Sequence, residues 1–322
     1  MARTALAIHR SEVEAPTGFA AKPRETRRSL LALVFLAGTR LSPWLRERLW
    51  RWIYDRLAAH DPQAERFLAM NYGYADVRED TTRAPALEPR DEPYRYELQL
   101  YRHVTDGIEL AGKDVLEVGC GRGGGASYVA RYFHPNRILA VDLAAQAVAS
   151  CQALHRLPNL TFQQASAASL PCASASIDVV INVESSHCYA DIEGFIAEVR
   201  RVLRPGGYLA FCDLRWPRVA AELRQQFDRA GFVERRHRII TENVLAALDR
   251  LAERRQGICH AVPRWLRPAM RDFIGVRDTA VYDMLRAGRL AYVSLLLQKP
   301  QLVARAERPR SNSSFGEGLA IR

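Results

Sequence analysis

Leu116-Glu-Val-Gly-Cys-Gly-Arg-Gly-Gly-Gly125 decides the fold. Before it, Asp114 to Val118 reads as a short strand; after it, Ser127 to Phe133 reads as a helix. Glycines between a strand and a helix let the backbone turn sharply and let a ligand approach the main chain closely. Downstream the alternation continues. Strands are expected at Arg137 to Asp142, Leu160 to Gln164, Ile177 to Val183 and Tyr208 to Asp213. Helices are expected at Ala144 to Arg156 and Ile192 to Leu203, the latter stopped by Arg204-Pro-Gly-Gly207. Ile177 to Val183 is nearly all apolar, as a parallel strand buried on both faces requires. This spacing means βαβ units and a parallel sheet. Phe232 to Thr241 and Leu290 to Gln298 predict two further strands, with a helical insertion at about 242–288 between them.

The same turn indicates a ligand. Gly119, Gly121 and Gly124 satisfy the glycine pattern of dinucleotide sites, and Asp142 ends the next strand, where a carboxylate can accept both hydroxyls of a ribose. The ligand therefore contains adenosine. Glu117 separates the two main choices. A carboxylate two residues before the first glycine would repel a pyrophosphate, but it can help hold a cationic aminoacyl group. S-adenosylmethionine fits this turn better than a nicotinamide dinucleotide.

Outside this segment the chain is 322 residues long, 48% hydrophobic and 25% charged, ordinary for a folded globular protein. That length allows one large embellished domain or two small ones. The longest apolar run, Leu30 to Ala37, falls far short of the ~20 residues that span a bilayer. Six cysteines without a CxxC pair read as reduced thiols, and the first residues carry no leader-like pattern, so a cytoplasmic location is expected. The net charge of +10 lies at the ends: residues 1–60 carry +6, residues 216–322 carry +9, and residues 110–215 are neutral. A nucleic-acid enzyme would more often surround its cleft with basic residues. A basic periphery suits an anionic surface or simply solubility.

Ser42-Pro43 opens an expected helix in which Trp44, Leu45, Leu49, Trp50, Trp52, Ile53 and Leu57 interleave with Arg46, Arg48, Arg51 and Arg56. Its first reading is a cap helix packed on the domain. The other is a surface helix that touches the inner membrane or an acidic carrier protein. The expected organisation is a disordered 1–28, an N-terminal helical lid at 29–110, a cofactor-binding domain at 111–300 and a flexible tail at 301–322. Oligomer formation stays open.

These residues resemble a known family. The glycine turn, Ile138-Leu-Ala-Val-Asp142, Leu170-Pro171, Ile177-Asp-Val-Val180 and Val202-Leu-Arg-Pro-Gly-Gly-Tyr208 look like class I S-adenosylmethionine-dependent methyltransferases. More narrowly, Gly123-Gly-Gly-Ala-Ser-Tyr128, Asn182-Val-Glu-Ser-Ser-His-Cys-Tyr189, Asp213-Leu-Arg215 and Asp272-Phe-Ile-Gly-Val276 resemble the mycobacterial phthiotriolone and phenolphthiotriolone dimycocerosate methyltransferases, which O-methylate a long-chain polyketide lipid. The resemblance covers about residues 70–299. It implies an α/β Rossmann-like fold, with a seven-stranded, mostly parallel sheet between two helical layers. It implies S-adenosyl-L-methionine as cofactor, held by Tyr74, Glu117, Gly119, Cys120, Gly121, Gly123, Asp142, Leu143, Ser166, Ala167 and Asn182. Ser166 departs from the pattern, which has an acid there for the adenine amino group. A neutral partner is worth ~1 rather than ~2 kcal/mol, about fivefold in affinity.

Methyl transfer to an alcohol needs a base; an enol needs less help. His187 lies four residues beyond the fourth strand's carboxyl end, where ligands bind in open α/β sheets. It is the expected base. Asp213, ending the fifth strand, would orient it or act itself, as in some natural-product O-methyltransferases. Tyr74 and Tyr72 would cover cofactor and substrate; Glu184 would anchor its loop. No residue cluster has metal-ligand spacing, and no metal is expected. The expected activity is O-methylation of an apolar polyketide or lipid-like molecule. The rivals are C-methylation or a cyclase that merely holds the cofactor, and a non-catalytic membrane-attached binding subunit.

Overall fold

The computed structural model describes residues 68–77, 86–260, 263–264 and 267–301, with single positions between 45 and 55. The expectations for 1–28, for the tail beyond 301, and for Trp44 and Trp50 lie outside the described residues.

The glycine turn sits where the sequence puts it, between β1 (Asp114–Val118) and α2 (Gly124–Tyr132), after α1 (Arg95–Thr105). Then come β2 (Arg137–Asp142), α3 (Ala145–Leu154), β3 (Leu160–Gln164), β4 (Ile177–Val183), α4 (Ile192–Val202), β5 (Leu203–Arg215), α5 (Pro217–Arg229) and β6 (Val233–Ile239). Four helices follow, α6 (Thr241–Arg250), α7 (Ala252–His260), α8 (Arg267–Phe273) and α9 (Ala280–Arg286), and β7 (Ala291–Gln298) closes the sheet. The strand order is β3-β2-β1-β4-β5-β7-β6. β7 runs antiparallel to both neighbours, and the other described pairings are parallel. The Rossmann-like sheet expected from the sequence is therefore the observed one.

The central strands are apolar because helices cover both faces. On one side Tyr101, Val104, Val129, Ile181 and Tyr292 share a core; on the other Phe195, Val199, Phe211, Phe227 and Leu295 share a second. Helix and strand ends shift by up to three residues from expectation, and one boundary shifts further. β5 begins at Leu203, not Tyr208, because Leu203 pairs with Ile177 before the register shifts and Tyr208 pairs with Val179. The Pro-Gly-Gly segment is absorbed as an irregularity inside the strand, where Gly206 takes a left-handed φ of 83°.

The insertion and the 68–77 segment hold each other over the carboxyl ends of the strands. Arg255, buried, donates to the Asn71 carbonyl at 2.9 Å, and Tyr72 donates to the Phe273 carbonyl at 3.1 Å. Arg254 pairs with the buried Glu97 of α1 at 2.9 Å. Among the described residues, no helix is long and apolar enough to cross a membrane.

Candidate functional site

The carboxyl ends of β1, β2 and β4 frame a cleft of about 950 Å³, counted out to open solvent. Of the residues singled out in the sequence, Gly119, Cys120, Gly121, Asp142, Leu143, Ser166 and Ala167 line it. Gly119, Gly121 and Gly123 all have positive φ, so the turn has a conformation that side-chain-bearing residues rarely adopt. A Cβ on Gly119 would fall 2.4 Å from the Ser185 side chain, and one on Gly125 would fall 1.9 Å from the Tyr101 ring.

Asp142 accepts the Gly121 N–H at 2.8 Å on one oxygen and the Ala144 N–H at 2.9 Å on the other. Its carboxylate is thereby aimed across the cleft with acceptor capacity left for hydroxyls. Glu117 is 2% exposed and accepts the Tyr101 hydroxyl at 2.6 Å, while its other oxygen is buried without a partner. Burial pushes its carboxyl up to about 8, with Asp142 adding to the rise. A buried carboxylate oxygen left unsatisfied is costly. Ser166 lines the cleft, but its hydroxyl already accepts the Ala168 N–H at 3.2 Å. Restoring an acid there is therefore expected to help: Ser166→Asp should tighten S-adenosylhomocysteine binding about fivefold, measured by calorimetry. Unchanged or weaker binding would show that the serine costs nothing.

Four of the cofactor residues from the sequence reading, Glu117, Gly123, Asn182 and Tyr74, are not among the lining residues; Glu117 lies buried behind the wall formed by Tyr101. Gly123 is crowded from behind by Phe162 and His155. Asn182 is fully buried; its amide nitrogen donates to the Val118 carbonyl, to Ser185 Oγ and to the Tyr189 hydroxyl at 2.8–2.9 Å, holding the β1 and β4 loops together. Tyr74 stacks on His103, with ring centroids 4.3 Å apart, and is not among the lining residues. Met70 and Tyr101, neither singled out beforehand, take places in the wall. Both arrive from outside the βαβ text, and the one local signal was Gly125, a helical glycine that makes room for the Tyr101 ring.

The second cluster lies just past β4. Glu184 lines the cleft with a left-handed φ of 47°. Its carboxylate accepts the Tyr72 N–H at 2.5 Å and the Tyr292 hydroxyl, which ties the loop to the 68–77 segment and to β7. Burial raises it to about 7, Asp213 adds to the rise, and these hydrogen bonds hold it down.

His187 Nδ1 lies 2.8 Å from Asp213 Oδ1, and the His187 backbone N–H donates to Asp213 Oδ2 at 3.0 Å. Ser186 Oγ donates to Oδ2 at 2.6 Å, and Arg215 pairs with it at 3.0 Å. Asp213 has no exposed surface. Burial alone would raise its carboxyl, but Arg215, His187 and the hydrogen bonds hold it well below the usual carboxylate range. Burial opposes protonation of His187, yet Cys188 and Asp213 beside it prevail and place its imidazole well above the ordinary value of 6.5. Since a carboxylate can only accept, Nδ1 carries the proton, and the ring is held in one tautomer. His187 sits between the lining residues Ser185 and Cys188 without itself being part of the cleft wall.

Residues 116–211 match the family described as "Methyltransferase domain". Over 247 residues the chain is 39% identical to the phthiotriol/phenolphthiotriol dimycocerosates methyltransferase of Mycobacterium leprae, covering 76% of this chain and 90% of that protein. It is 35% identical over 233 residues to a fatty-acid O-methyltransferase of Mycolicibacterium smegmatis, covering 72% and 83%. Among solved structures it is similar to the 4+2 cyclase SpnF, with a TM-score of 0.59 at 22% identity, covering 77% of this chain and 96% of that one; at that identity the likeness concerns the fold alone.

Proposed function

The chain belongs to the class I S-adenosylmethionine-dependent methyltransferases, and from that premise we propose that it methylates the oxygen of a hydroxyl on a long, lipid-like acceptor. The observation that carries this reading is the His187–Asp213 pair, held at 2.8 Å beside the cofactor cleft. Bound there, the cofactor supplies an electrophilic methyl group on a sulfonium. The chain's own residues bind, orient and move a proton. Asp142 would take the ribose hydroxyls, Glu117, buried behind the cleft wall, would attract the ammonium by charge, and Leu143, Ser166 and Ala167 would flank the adenine. Gly119, Cys120 and Gly121 supply a backbone surface without bulk. His187 donates Nδ1–H to Asp213 and takes the acceptor's hydroxyl proton on Nε2; Asp213 then stabilises the imidazolium. The lipid-like acceptor is inferred from the substrates in the names of the two mycobacterial relatives.

The raised pKa of His187 favours a second reading for an acidic acceptor. A fatty carboxylate needs no base, and an imidazolium would hold it by charge. The pH profile separates the two. With a long-chain alcohol, kcat/KM is expected to rise with pH through an inflection above 6.5, because the base must first lose its proton. With a fatty acid, it is expected to fall through the same inflection. Asp213→Asn removes the neighbouring anion and should move the inflection to lower pH in both cases. A profile without a histidine-like inflection for either acceptor would overturn the assignment of His187.

A further inference from the structure

Charge reaches the cofactor cleft from outside the βαβ core. Leu45, Glu47, Arg48, Arg51, Trp52 and Asp55 are helical, and Leu45 and Trp52 are exposed. Glu47 and Arg51, one turn apart, both line the cleft. One turn further on, Asp55 accepts the Gln146 N–H at 3.1 Å, pinning this helix to the start of α3, close to Asp142. The N-terminal helix thus forms part of the cleft wall.

The charges on that wall are unequal. Glu47, Asp142, Glu184 and Asp191 are acidic, and Arg51 is the one cation among the described lining residues. Arg51 has no carboxylate partner among the described residues. The cofactor carries two positive groups, the sulfonium and the ammonium, which suit an acidic wall. It also carries one carboxylate, which the same wall repels unless a cation meets it. A guanidinium matches a carboxylate with two parallel hydrogen bonds.

We propose that Arg51 receives the carboxylate of the cofactor's aminoacyl tail, so that the N-terminal helix is a binding element for the cofactor and not only a cover. The side chain is half-buried, so the pair is shielded in part from solvent.

Calorimetry on the full-length protein tests this with two ligands. S-adenosylhomocysteine has the aminoacyl tail; 5′-methylthioadenosine has the same adenosine and thioether without it. Arg51→Gln is expected to weaken S-adenosylhomocysteine about tenfold or more, the scale of a charge-assisted hydrogen bond. It should leave 5′-methylthioadenosine unchanged. Arg51→Lys, which keeps the charge but loses the fork, should recover part of the loss. Equal weakening of both ligands would reduce the helix to a roof over the adenosine, and unchanged affinity for both would remove Arg51 from the site; either result overturns the proposal.

Discussion

Replacing His187 with alanine is expected to lower kcat for an alcohol acceptor by about 10²–10⁴, the usual contribution of a positioned general base, with cofactor affinity unchanged. The two effects separate because His187 is not part of the cofactor cleft wall, whereas Gly119, Gly121 and Asp142 are. The imidazole is positioned from several sides. Asp213 takes both its Nδ1–H and its backbone N–H, and the segment around it, Ser186–Cys188, is a single 3₁₀ turn. Deleting the ring leaves the acceptor free to bind but unable to shed its proton as the methyl arrives. Single-turnover rates measured with preloaded cofactor read this directly. A loss confined to KM, or turnover within a few-fold of the parent, would move the proton-transfer role elsewhere.

The largest effect on stability is expected at Arg215. Its guanidinium pairs with Asp213 and donates to Ser186 Oγ at 2.6 Å, inside a region where Asp213 has no exposure and Arg215 only 8%. Arg215→Met leaves a buried carboxylate facing His187, Ser186 and the Leu214 N–H, without its guanidinium. Removing one partner of a buried pair costs about 3–5 kcal/mol, mostly through the charge left behind. Urea unfolding at neutral pH should show a loss of that size. The pH dependence has a definite sign. The Asp213 carboxyl is depressed in the folded chain, so its contribution is present above the unfolded value of about 3.9 and is lost as pH falls through the folded pKa. Without Arg215 the depression shrinks, and acid unfolding should begin at higher pH. A variant as stable as the parent across that range would show that Asp213 does not depend on Arg215.

Much of the frame was legible because local rules agreed with one another. β1 to β4 have the expected ends; β1, β2 and β4 are mainly apolar runs, and β3 alternates buried and exposed residues over its first three positions. The start of β5 differs because Pro-Gly-Gly normally ends an element, whereas here it is an irregularity between Leu203 and Tyr208, which both pair with β4. The antiparallel place of β7 between β5 and β6 leaves no mark in any one segment; the spacing implied a parallel sheet, and only the family resemblance implied all seven strands in one mostly parallel sheet. The site divides along the same line. Gly119, Gly121 and Asp142 are read locally because a tight turn and a strand end need those residues. The wall contributed by Met70, Tyr101, Glu47 and Arg51 is set by how distant segments fold back over the sheet. Tyr74 illustrates the limit: two tyrosines at alternate positions look equivalent in sequence, and packing decides that one stacks on His103 while the other reaches Phe273.

O-methylation is decided by where the methyl group goes. Purified protein would be given cofactor labelled in its methyl group, together with a long-chain diol or a long-chain fatty acid, and the products analysed by nuclear magnetic resonance. The label is expected on oxygen, as a methyl ether from the alcohol or a methyl ester from the acid, and is expected to disappear in His187→Ala with the alcohol. Label on carbon, or an acceptor rearranged without gaining the label, would contradict O-methylation.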